Sequence, residues 1–562
     1  MAIRPASRPQ RPLSALSTLL GVRLVAAGTS IPPNELGFLS GLTLDSRSVK
    51  PGDLYVALPG ARVHGAAFCA DAVAAGAVAV LTDPDGRARA VASGAPVFVL
   101  ADPRGKLGEI ACWVYGDPSG RLRLIGVTGT SGKTTSTYLI EAGLRAAGHK
   151  TGLIGGVELR VGNECLVSSL TTPEAPDLQA LFAVMVERGV SAAAMEVSSH
   201  SLALGRVGGT AFDVAVFTNL SQDHLDFHAD LEDYFRAKAS LFMPPVIGVV
   251  NVDDKYGRRL AKSAPVPVTT FSAAGQDDAD WRAADVRSGA DGSTFRVIGP
   301  GGVEADVSVS LAGVFNVANA LGALVALVEA GVRLEDAVAG VGACPGVPGR
   351  LERVPAPGLG VTAFVDYSHK PGAVEAVLHS LRPVTQGNLI IVRGCGGDRD
   401  RAKRPMMGAA AASLADVAIL TSDNPRSEDP LAILAAMLDG VLGVPVAERG
   451  RVIIEPDRAA AMKSASSGSA SASGLPRASL SVQPINFSAD RLRMLTAPCP
   501  STPMTPALAP ARTASVNRRR LSMRSCACMM SSRCVRSSCV IRLNVSPSCA
   551  RSPSACRTGT RT

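Results

Sequence analysis

Along most of the chain, short apolar runs of strand length alternate with longer amphipathic stretches of helix length. From Leu122 the order is strand, helix, strand, helix. Strands are predicted at 122–128, 191–198, 214–220, 246–252 and 266–271, with helices at 134–148, 177–189, 231–242 and 254–263. Such alternation predicts a mostly parallel sheet covered by helices. Residues 283–311 read as a small β excursion, and Gly313 opens a long apolar helix. A further α/β unit starts near Pro348, with strands at 361–367, 388–393, 416–421 and 451–455 and helices at 371–381, 403–415 and 429–441. Upstream, residues 20–115 alternate short apolar strands, including 53–58 and 76–81, with Gly-rich turns, and residues 115–120 read as a linker. Residues 1–15 read as a disordered lead.

The pattern stops abruptly. A helix beginning at Asp457 runs into a Ser/Ala/Gly stretch, and no helix or strand pattern follows it. We therefore expect a disordered lead over 1–15, a first domain over 16–120, a central domain over 121–347, a truncated third domain over 348–463 and an aberrant tail over 464–562.

Composition changes the picture only when it is split at that point. The net charge of the 562 residues is +9, but residues 464–562 hold 14 Arg, no Lys, one Asp and no Glu. The tail thus carries +13 and the first 463 residues −4, so the basic balance of the whole chain does not argue for a nucleic-acid partner. The tail has one aromatic residue, Phe487, too few for base stacking. It reads either as a disordered basic extension or as out-of-frame translation of GC-rich coding sequence, and the break in mid-helix favours the second. Of 12 cysteines, five lie before Lys463 without metal-ligand or paired spacing, which suggests a reducing cytoplasm. No signal peptide or membrane span is read.

The most specific chemistry lies in Gly129–Thr135, GTSGKTT, between a strand-like and a helix-like run. Glycines let backbone amides approach phosphates, the helix start points its N–H groups at them, and a lysine reaches the terminal oxygens. Lys133 would contact the β/γ-phosphates, the backbone of Thr130, Ser131, Gly132 and Lys133 would cradle them, and Thr134 or Thr135 would hold Mg2+. The short GxxGK[ST][ST] form points towards ATP-dependent amide ligases. Glu196 ends a predicted strand, where ligands of open α/β sheets bind. His224 follows the next strand, and the two suggest a second Mg2+ position. Lys238 sits among apolar neighbours, where a lysine loses proton affinity and could take up CO2 as a carbamate.

Several further motifs in order carry a resemblance: DSRSVKPGDLYVAL (45–58), LTTPEAP (170–176), MEVSSHSLALGRV (195–207), FTNLSQDHLDFH (217–228), AKASLF (237–242), PGRLE (348–352), VDYSHKP (365–371), GCGGDRDRAKRPMMG (394–408) and TSDNPRSEDP (421–430). Over about 20–460 the chain resembles the Mur ligases, the ATP-dependent amino-acid-adding enzymes of peptidoglycan synthesis, and within them the diaminopimelate-adding branch. The resemblance implies an α/β fold of three domains: a UDP-substrate domain, a central ATPase domain with a mostly parallel sheet, and a Rossmann-like third domain, here incomplete. It implies a cytoplasmic, monomeric enzyme that needs ATP and Mg2+ and no membrane or nucleic acid. Its substrates would be UDP-N-acetylmuramoyl-L-alanyl-D-glutamate and meso-2,6-diaminopimelate, joined through an acyl phosphate.

The resemblance also implies roles. Leu44 and Ser46 match positions that hold the UDP part, and Thr171, Thr172, Ser198 and Arg206 match contacts to the muramoyl dipeptide. Glu196 and His224 match Mg2+ positions and Lys238 a carbamylated lysine. Asn316 and Asn319 match nucleotide contacts, and Arg350, Asp366 and His369 fall in motifs that meet ATP. Arg399 and Asp423, Asn424, Pro425 and Arg426 match contacts to diaminopimelate, whose far carboxylate a fixed guanidinium can hold bidentately. Ser368 stands where alanine is usual and Ala402 where glycine is usual. A Gly-Lys-Gly-His-Glu motif usual after the stretch matching 451–460 is missing. The altered ending implies poor ligation, or a remnant that binds UDP-muramoyl peptide without turnover. Lysine-adding ligases and folylpolyglutamate synthetases are the nearest rivals, and the DSR and DNPR motifs argue against both.

Overall fold

The computed structural model describes residues 4–22, 24, 37–166, 170–354, 361–466 and 539–544. The chain divides into two units, Met1–Val347 and Pro348–Thr562.

The first unit opens with β1 (Arg11–Pro12), α1 (Leu13–Leu20) and β2 (Phe38–Leu39), β1 and β2 pairing antiparallel. The lead, expected to be disordered, is instead docked from Arg4 onward. The Arg4 guanidinium donates to the Tyr115 hydroxyl at 2.5 Å and to Asp53 at 2.9 Å, and Leu13 and Leu16 are fully buried. Two apolar residues three apart and one paired cation are enough to fasten a segment whose Arg/Pro content reads as loop. Next come β3 (Gly41–Thr43), β4 (Asp53–Ala57), α2 (Cys69–Ala74), β5 (Ala79–Thr82), α3 (Arg87–Ala92), β6 (Val97–Val99) and α4 (Pro103–Tyr115). The four strands are parallel in sequence order. The α4 helix was not anticipated within a stretch read as strands and turns. Asp102 caps it at the Gly105 amide, Pro103 starts it, Gly116 ends it, and Leu107, Ile110, Ala111 and Val114 form its buried face.

An eleven-stranded sheet follows. Its elements are β7 (Arg123–Thr128), α5 (Lys133–Ala146), β8 (Thr151–Ile154), β9 (Leu159–Val161), β10 (Glu164–Leu166), α6 (Ala175–Glu187), β11 (Ala192–Glu196), α7 (Ser199–Ala203), β12 (Val214–Phe217), α8 (Leu231–Ala239), β13 (Ile247–Asn251), α9 (Lys255–Ser263) and β14 (Val268–Ser272). The excursion is β15 (Trp281–Gly289), β16 (Gly292–Ile298) and β17 (Glu304–Val309), and α10 (Val314–Glu329) and α11 (Leu334–Ala343) close the unit. The strand order is β10-β9-β8-β11-β7-β12-β13-β14-β15-β16-β17, parallel from β8 to β15 and antiparallel at both ends. From β7 the chain first builds outward through β8 and β11, then crosses to β12. The carboxyl end of β7 is therefore a switch point, where open α/β sheets bind ligands. The α10 helix, buried from Ala320 to Leu327, packs with Leu139, Leu144 and Phe271 in one core. The opposite face of the sheet packs on Leu178, Phe182, Phe235 and Phe242.

The second unit contains β18 (Glu352–Val354), β19 (Val361–Asp366), α12 (Pro371–Leu381), β20 (Leu389–Arg393), α13 (Lys403–Leu414), β21 (Val417–Leu420), α14 (Pro430–Leu442), β22 (Arg451–Ile454), α15 (Arg458–Ser466) and β23 (Cys539–Asn544). The order is β18-β19-β23-β20-β21-β22. Within the tail, where no element was predicted, β23 lies between β19 and β20 and runs antiparallel to both, with Val365 and Ile391 opposite Val540 and Ile541. Its sequence, CVIRLN, is rich in the β-formers a strand between two strands requires, in a tail whose overall Ser/Arg composition hides it. The rest of the tail expectation lies outside the described residues.

Candidate active site

The Gly129–Thr135 loop leaves the carboxyl end of β7 and ends in the first turn of α5, which starts at Lys133. Its backbone turns at Gly132, with φ +88°, where a Cβ would stand 2.3 Å from Asn319 Oδ1. Only glycine meets both conditions, the left-handed turn and the close approach of α10. Asn319 Nδ2 donates to Asn316 Oδ1, and Asn316 Nδ2 donates to the Ala312 carbonyl, so α10 presents both asparagines, buried, at the loop.

Lys133, expected at the phosphates, and Lys238, expected as a carbamate, meet here. Lys133 Nζ donates to the carbonyls of Gly129 at 2.7 Å and Thr130 at 3.1 Å. Lys238, fully buried on α8, donates to the same Gly129 carbonyl at 2.8 Å and lies 4.5 Å from the centre of the Tyr234 ring. Thr134 and Thr135 are buried in the first turn of α5.

Three residues that the sequence did not single out fasten the loop. Asn219, just beyond β12, accepts from the Ser131 N–H at 3.0 Å and donates to the Ser131 carbonyl at 3.1 Å. Thr218 Oγ1 donates to that same carbonyl at 2.6 Å. The Tyr234 hydroxyl shares a hydrogen bond with Thr130 Oγ1 at 3.2 Å, and burial raises its pKa, so it stays protonated. The signals were present: Asn219 lies in the FTNLSQDHLDFH motif, and Tyr234 lies one helical turn before Lys238.

Glu196 closes β11, beside β7, and is buried, with one carboxylate oxygen accepting from the Gly156 N–H at 3.0 Å. The dipeptide-contact candidates gather around it. Thr172 Oγ1 donates to the Glu196 carbonyl at 2.9 Å and accepts from the Ser198 N–H at 3.2 Å, and Arg206 donates to the Thr172 carbonyl at 3.4 Å. Arg206 also pairs with Glu174 at 2.8 Å. Thr171 Oγ1 lies beside Gly156, 2.9 Å from where a Cβ would stand. Ser198 caps α7 at the Ser201 amide.

His224 follows β12 with φ +54°, an uncommon conformation for a side chain of its size, and pairs with buried Asp223 at 2.9 Å. Its ring lies 4.8 Å from His200 and 6.2 Å from Tyr234, so it is linked to the loop through Tyr234 and Thr130. Burial and the neighbouring His224 and His228 depress the His200 pKa. Among the described residues no three His, Cys, Asp or Glu side chains form a metal-holding group. Leu44 packs on the core of the first sheet and Ser46 opens a short turn capped by Asp45.

In the second unit, Asp366 ends β19 and accepts from the Leu351 N–H at 2.8 Å and the Ser368 N–H at 2.7 Å, while the Ser368 hydroxyl also donates to it. Arg350 lies over the Tyr367 ring at 5.2 Å, and His369 packs against the same ring. The loops after β20 and β21 interlock. A Cβ at Gly397 would stand 1.9 Å from the Pro425 carbonyl, and the Gly397 N–H donates to the Asn424 carbonyl. Arg426 Nη1 and Arg399 Cγ lie 3.2 and 3.8 Å from the Cβ position of Gly396, so both side chains pass beside Gly396, with Asp423 on the adjoining loop.

Models of the Mur ligase family match residues 39–112 (Mur ligase family, catalytic domain), 127–327 (Mur ligase middle domain) and 349–475 (Mur ligase, glutamate ligase domain). The UDP-N-acetylmuramoyl-L-alanyl-D-glutamate--2,6-diaminopimelate ligase of Streptomyces avermitilis is 60% identical over 456 residues, 81% of this chain and 90% of that protein. This chain belongs to the Mur ligase family.

A ligase of the same name from Corynebacterium glutamicum is 46% identical over 80% of this chain and 88% of its own. A solved structure of a ligase of that name superimposes with a TM-score of 0.59 at 33% identity, covering 79% of this chain and 91% of its own. This Mur ligase is thus an ATP-dependent amide-bond-forming enzyme with the α/β fold expected from its sequence. Among the described residues, no helix is long and apolar enough to cross a membrane.

Proposed function

We propose that this Mur ligase joins an amine of meso-2,6-diaminopimelate to the γ-carboxylate of the D-glutamate in UDP-N-acetylmuramoyl-L-alanyl-D-glutamate, in the cytoplasmic synthesis of peptidoglycan precursors. The observation that carries the reading is the gathering of the phosphate loop, Glu196 and the His224 segment at the carboxyl ends of three adjacent strands, β11, β7 and β12. Identity of 46–60% to ligases so named supports the choice of substrates.

The γ-carboxylate attacks the γ-phosphate of ATP, giving an acyl phosphate and ADP. The diaminopimelate amine then attacks the acyl carbon, loses a proton, and phosphate leaves. Lys133 would turn from the Gly129 carbonyl to the β/γ-phosphates and offset the charge gathering there. Ser131, Gly132 and Lys133 would present amides to the phosphates, and Asn316 and Asn319 would line the nucleotide side. Leu44 and Ser46 would hold the UDP end, and Thr171, Thr172, Ser198 and Arg206 the dipeptide. In the second unit Arg350, Asp366 and His369 would belong to the nucleotide motif, and Arg399 with Asp423–Arg426 would hold the amino acid.

The donor set fits Mg2+: the Glu196 carboxylate and the Thr134 hydroxyl are hard oxygens, and phosphates and water complete such sites. When bound, Mg2+ supplies positive charge beside the transferred phosphoryl group. Thr134, Glu196, His224 and a carbamylated Lys238 are the residues that would hold it.

The test is ADP release from the purified chain with UDP-substrate and ATP, comparing meso-diaminopimelate with L-lysine. The expected result is stimulation by diaminopimelate at least about tenfold above lysine, the scale on which one extra charged contact discriminates. Equal stimulation overturns the specificity. A second reading, substrate binding without turnover, is favoured by one observation: β23 stands antiparallel among parallel strands, in a tail without the Gly-Lys-Gly-His-Glu motif. UDP-substrate binding without any ADP release would identify it.

A further inference from the structure

Glu428 is absent from every role assigned above, yet it is the centre of the interlocked loops. It lies two residues beyond Arg426, and its N–H donates to the Pro425 carbonyl at 2.9 Å. Its carboxylate reaches across to the loop after β20. Oε1 accepts from the Asp398 N–H at 2.6 Å and from Arg404 Nη2 at 2.8 Å, and Oε2 accepts from Arg404 Nη1 at 2.9 Å. Arg401 adds a contact at 3.2 Å. Arg404, in the first turn of α13, is 3% exposed, and its Nη2 also donates to the Gly396 carbonyl at 3.4 Å.

The lacing is reciprocal. The Asp398 carboxylate accepts from the Ser427 N–H at 3.2 Å and from its hydroxyl at 2.7 Å. Arg426 returns across the gap to the Gly397 carbonyl. Asp398 and Arg426 both hold left-handed backbone, φ +50° and +49°, which persists only where surroundings over-determine it. Glu428 and Arg404 bond to the backbone on either side of Gly397, next to Asp398 and Arg399 on one loop and two residues from Arg426 on the other.

We propose that Glu428 and Arg404 are positioning residues for amino-acid selection: their bidentate pair fixes the spacing of Arg399 and Arg426 and so the preference for an amino acid carrying a second carboxylate. The proposal rests on reading these loops as the diaminopimelate site. A bidentate guanidinium–carboxylate pair defines orientation as well as distance, which a lysine at 404 would not reproduce. Losing the carboxylate leaves a buried guanidinium unpaired between the loops.

The experiment compares Glu428→Gln and Arg404→Lys with a control, Val417→Ala, which removes buried methyl groups from β21 without touching either loop. Initial rates of ADP release are measured with diaminopimelate varied and the other substrates saturating. For both loop variants the KM for diaminopimelate should rise about tenfold or more while kcat stays within about threefold and the KM for ATP within about twofold, the signature of lost binding contacts rather than lost chemistry. The control should lower the melting temperature with no change in that KM. An unchanged KM in Glu428→Gln, or the same rise in Val417→Ala, overturns the proposal. If the unaltered chain turns over no amino acid, the functional reading fails separately. The pair is then tested by hydrogen exchange at the Asp398 and Ser427 amides. Acceleration of about tenfold in Glu428→Gln over Val417→Ala supports it, and equal exchange overturns it.

Discussion

Lys133 and Lys238 end on one atom: the Gly129 carbonyl oxygen accepts from the first at 2.7 Å and from the second at 2.8 Å. One comes from the loop itself and the other from α8, about a hundred residues later. Both N–H donors share one acceptor, so a bound anion can draw one of them away while the other keeps the carbonyl satisfied. Lys133 also holds the Thr130 carbonyl, within the loop, whereas Lys238 is sealed beneath the Tyr234 ring. Lys133, carried by the loop itself, is therefore the lysine that a bound phosphate would draw over.

Replacing it should separate chemistry from binding. Lys133→Ala is expected to lower kcat by about a thousandfold, the scale lost when a charge aimed at a transferring phosphoryl group is removed. The affinity for UDP-substrate should stay within about threefold, since the dipeptide candidates Thr172, Ser198 and Arg206 are held by bonds to one another and to the end of β11. ADP release and direct titration of UDP-substrate read the two quantities. Turnover retained to more than a tenth would remove Lys133 from the mechanism.

Asn219 makes both of its described side-chain bonds to the backbone of Ser131. Asn219→Ala should loosen the loop without removing any group that touches phosphate. A stability loss of about 1–2 kcal/mol is expected for two hydrogen bonds, together with a rise of several-fold in the KM for ATP. Thermal unfolding and steady-state kinetics check these. Asn219→Asp, which can still accept from the Ser131 N–H but cannot donate to its carbonyl, should fall between the two. An Asp variant worse than Ala would point instead to phosphate repulsion, and a direct role near the nucleotide.

Sequence patterning made the parallel core of both sheets legible because strands buried on both faces read as continuous apolar runs. It located the phosphate loop, because glycine spacing there answers to two local demands that residues alone express. The α4 helix escaped because Gly105, Gly108 and Gly116 broke its pattern into turns, and β23 because six residues were judged by the composition around them. Asn219, Tyr234 and Glu428 escaped for a different reason. Their importance lies in which backbone they reach in three dimensions, 88, 104 and 30 residues away in sequence. The motif around Asn219 and the helical spacing of Tyr234 from Lys238 mark the segments, but not the partner that each side chain reaches.

The electrostatics of the Glu428 pair give a pH signature. The Arg404 guanidinium, and then the Asp398 amide, hold the Glu428 carboxyl down at about 2, against an ordinary 4.5. The folded chain therefore binds fewer protons there than the unfolded one. The pair's stabilisation is present in full above pH 4.5 and is lost as the pH falls towards 2. Glu428→Gln lacks this group. It should be less stable than the unaltered chain near neutrality, with the gap narrowing through that window. Urea midpoints of the second unit, taken at steps of half a pH unit, would show it. A constant gap would mean that the variant loses packing and not charge.

The last prediction concerns β23. Residues 539–544 supply backbone partners to Val361–Asp366 on one side and Leu389–Arg393 on the other. Without them the facing edges of β19 and β20 are a strand's width apart, about 4.8 Å beyond pairing distance, and each buried N–H or C=O left unmet costs about 1–3 kcal/mol. Deleting residues 539–562 should therefore open the second unit while the first, none of whose described strands pairs with 539–544, stays folded. In limited proteolysis a fragment ending near Val347 should persist as residues 348–466 disappear. ATP-analogue protection of Gly129–Thr135 from hydrogen exchange should survive in the same sample. Equal resistance of 348–466 with and without the tail would show that β19 and β20 close on each other directly. In that case β23 is an added strand and not a necessary one, and the second unit's loops keep their spacing through Glu428 and Gly397 alone.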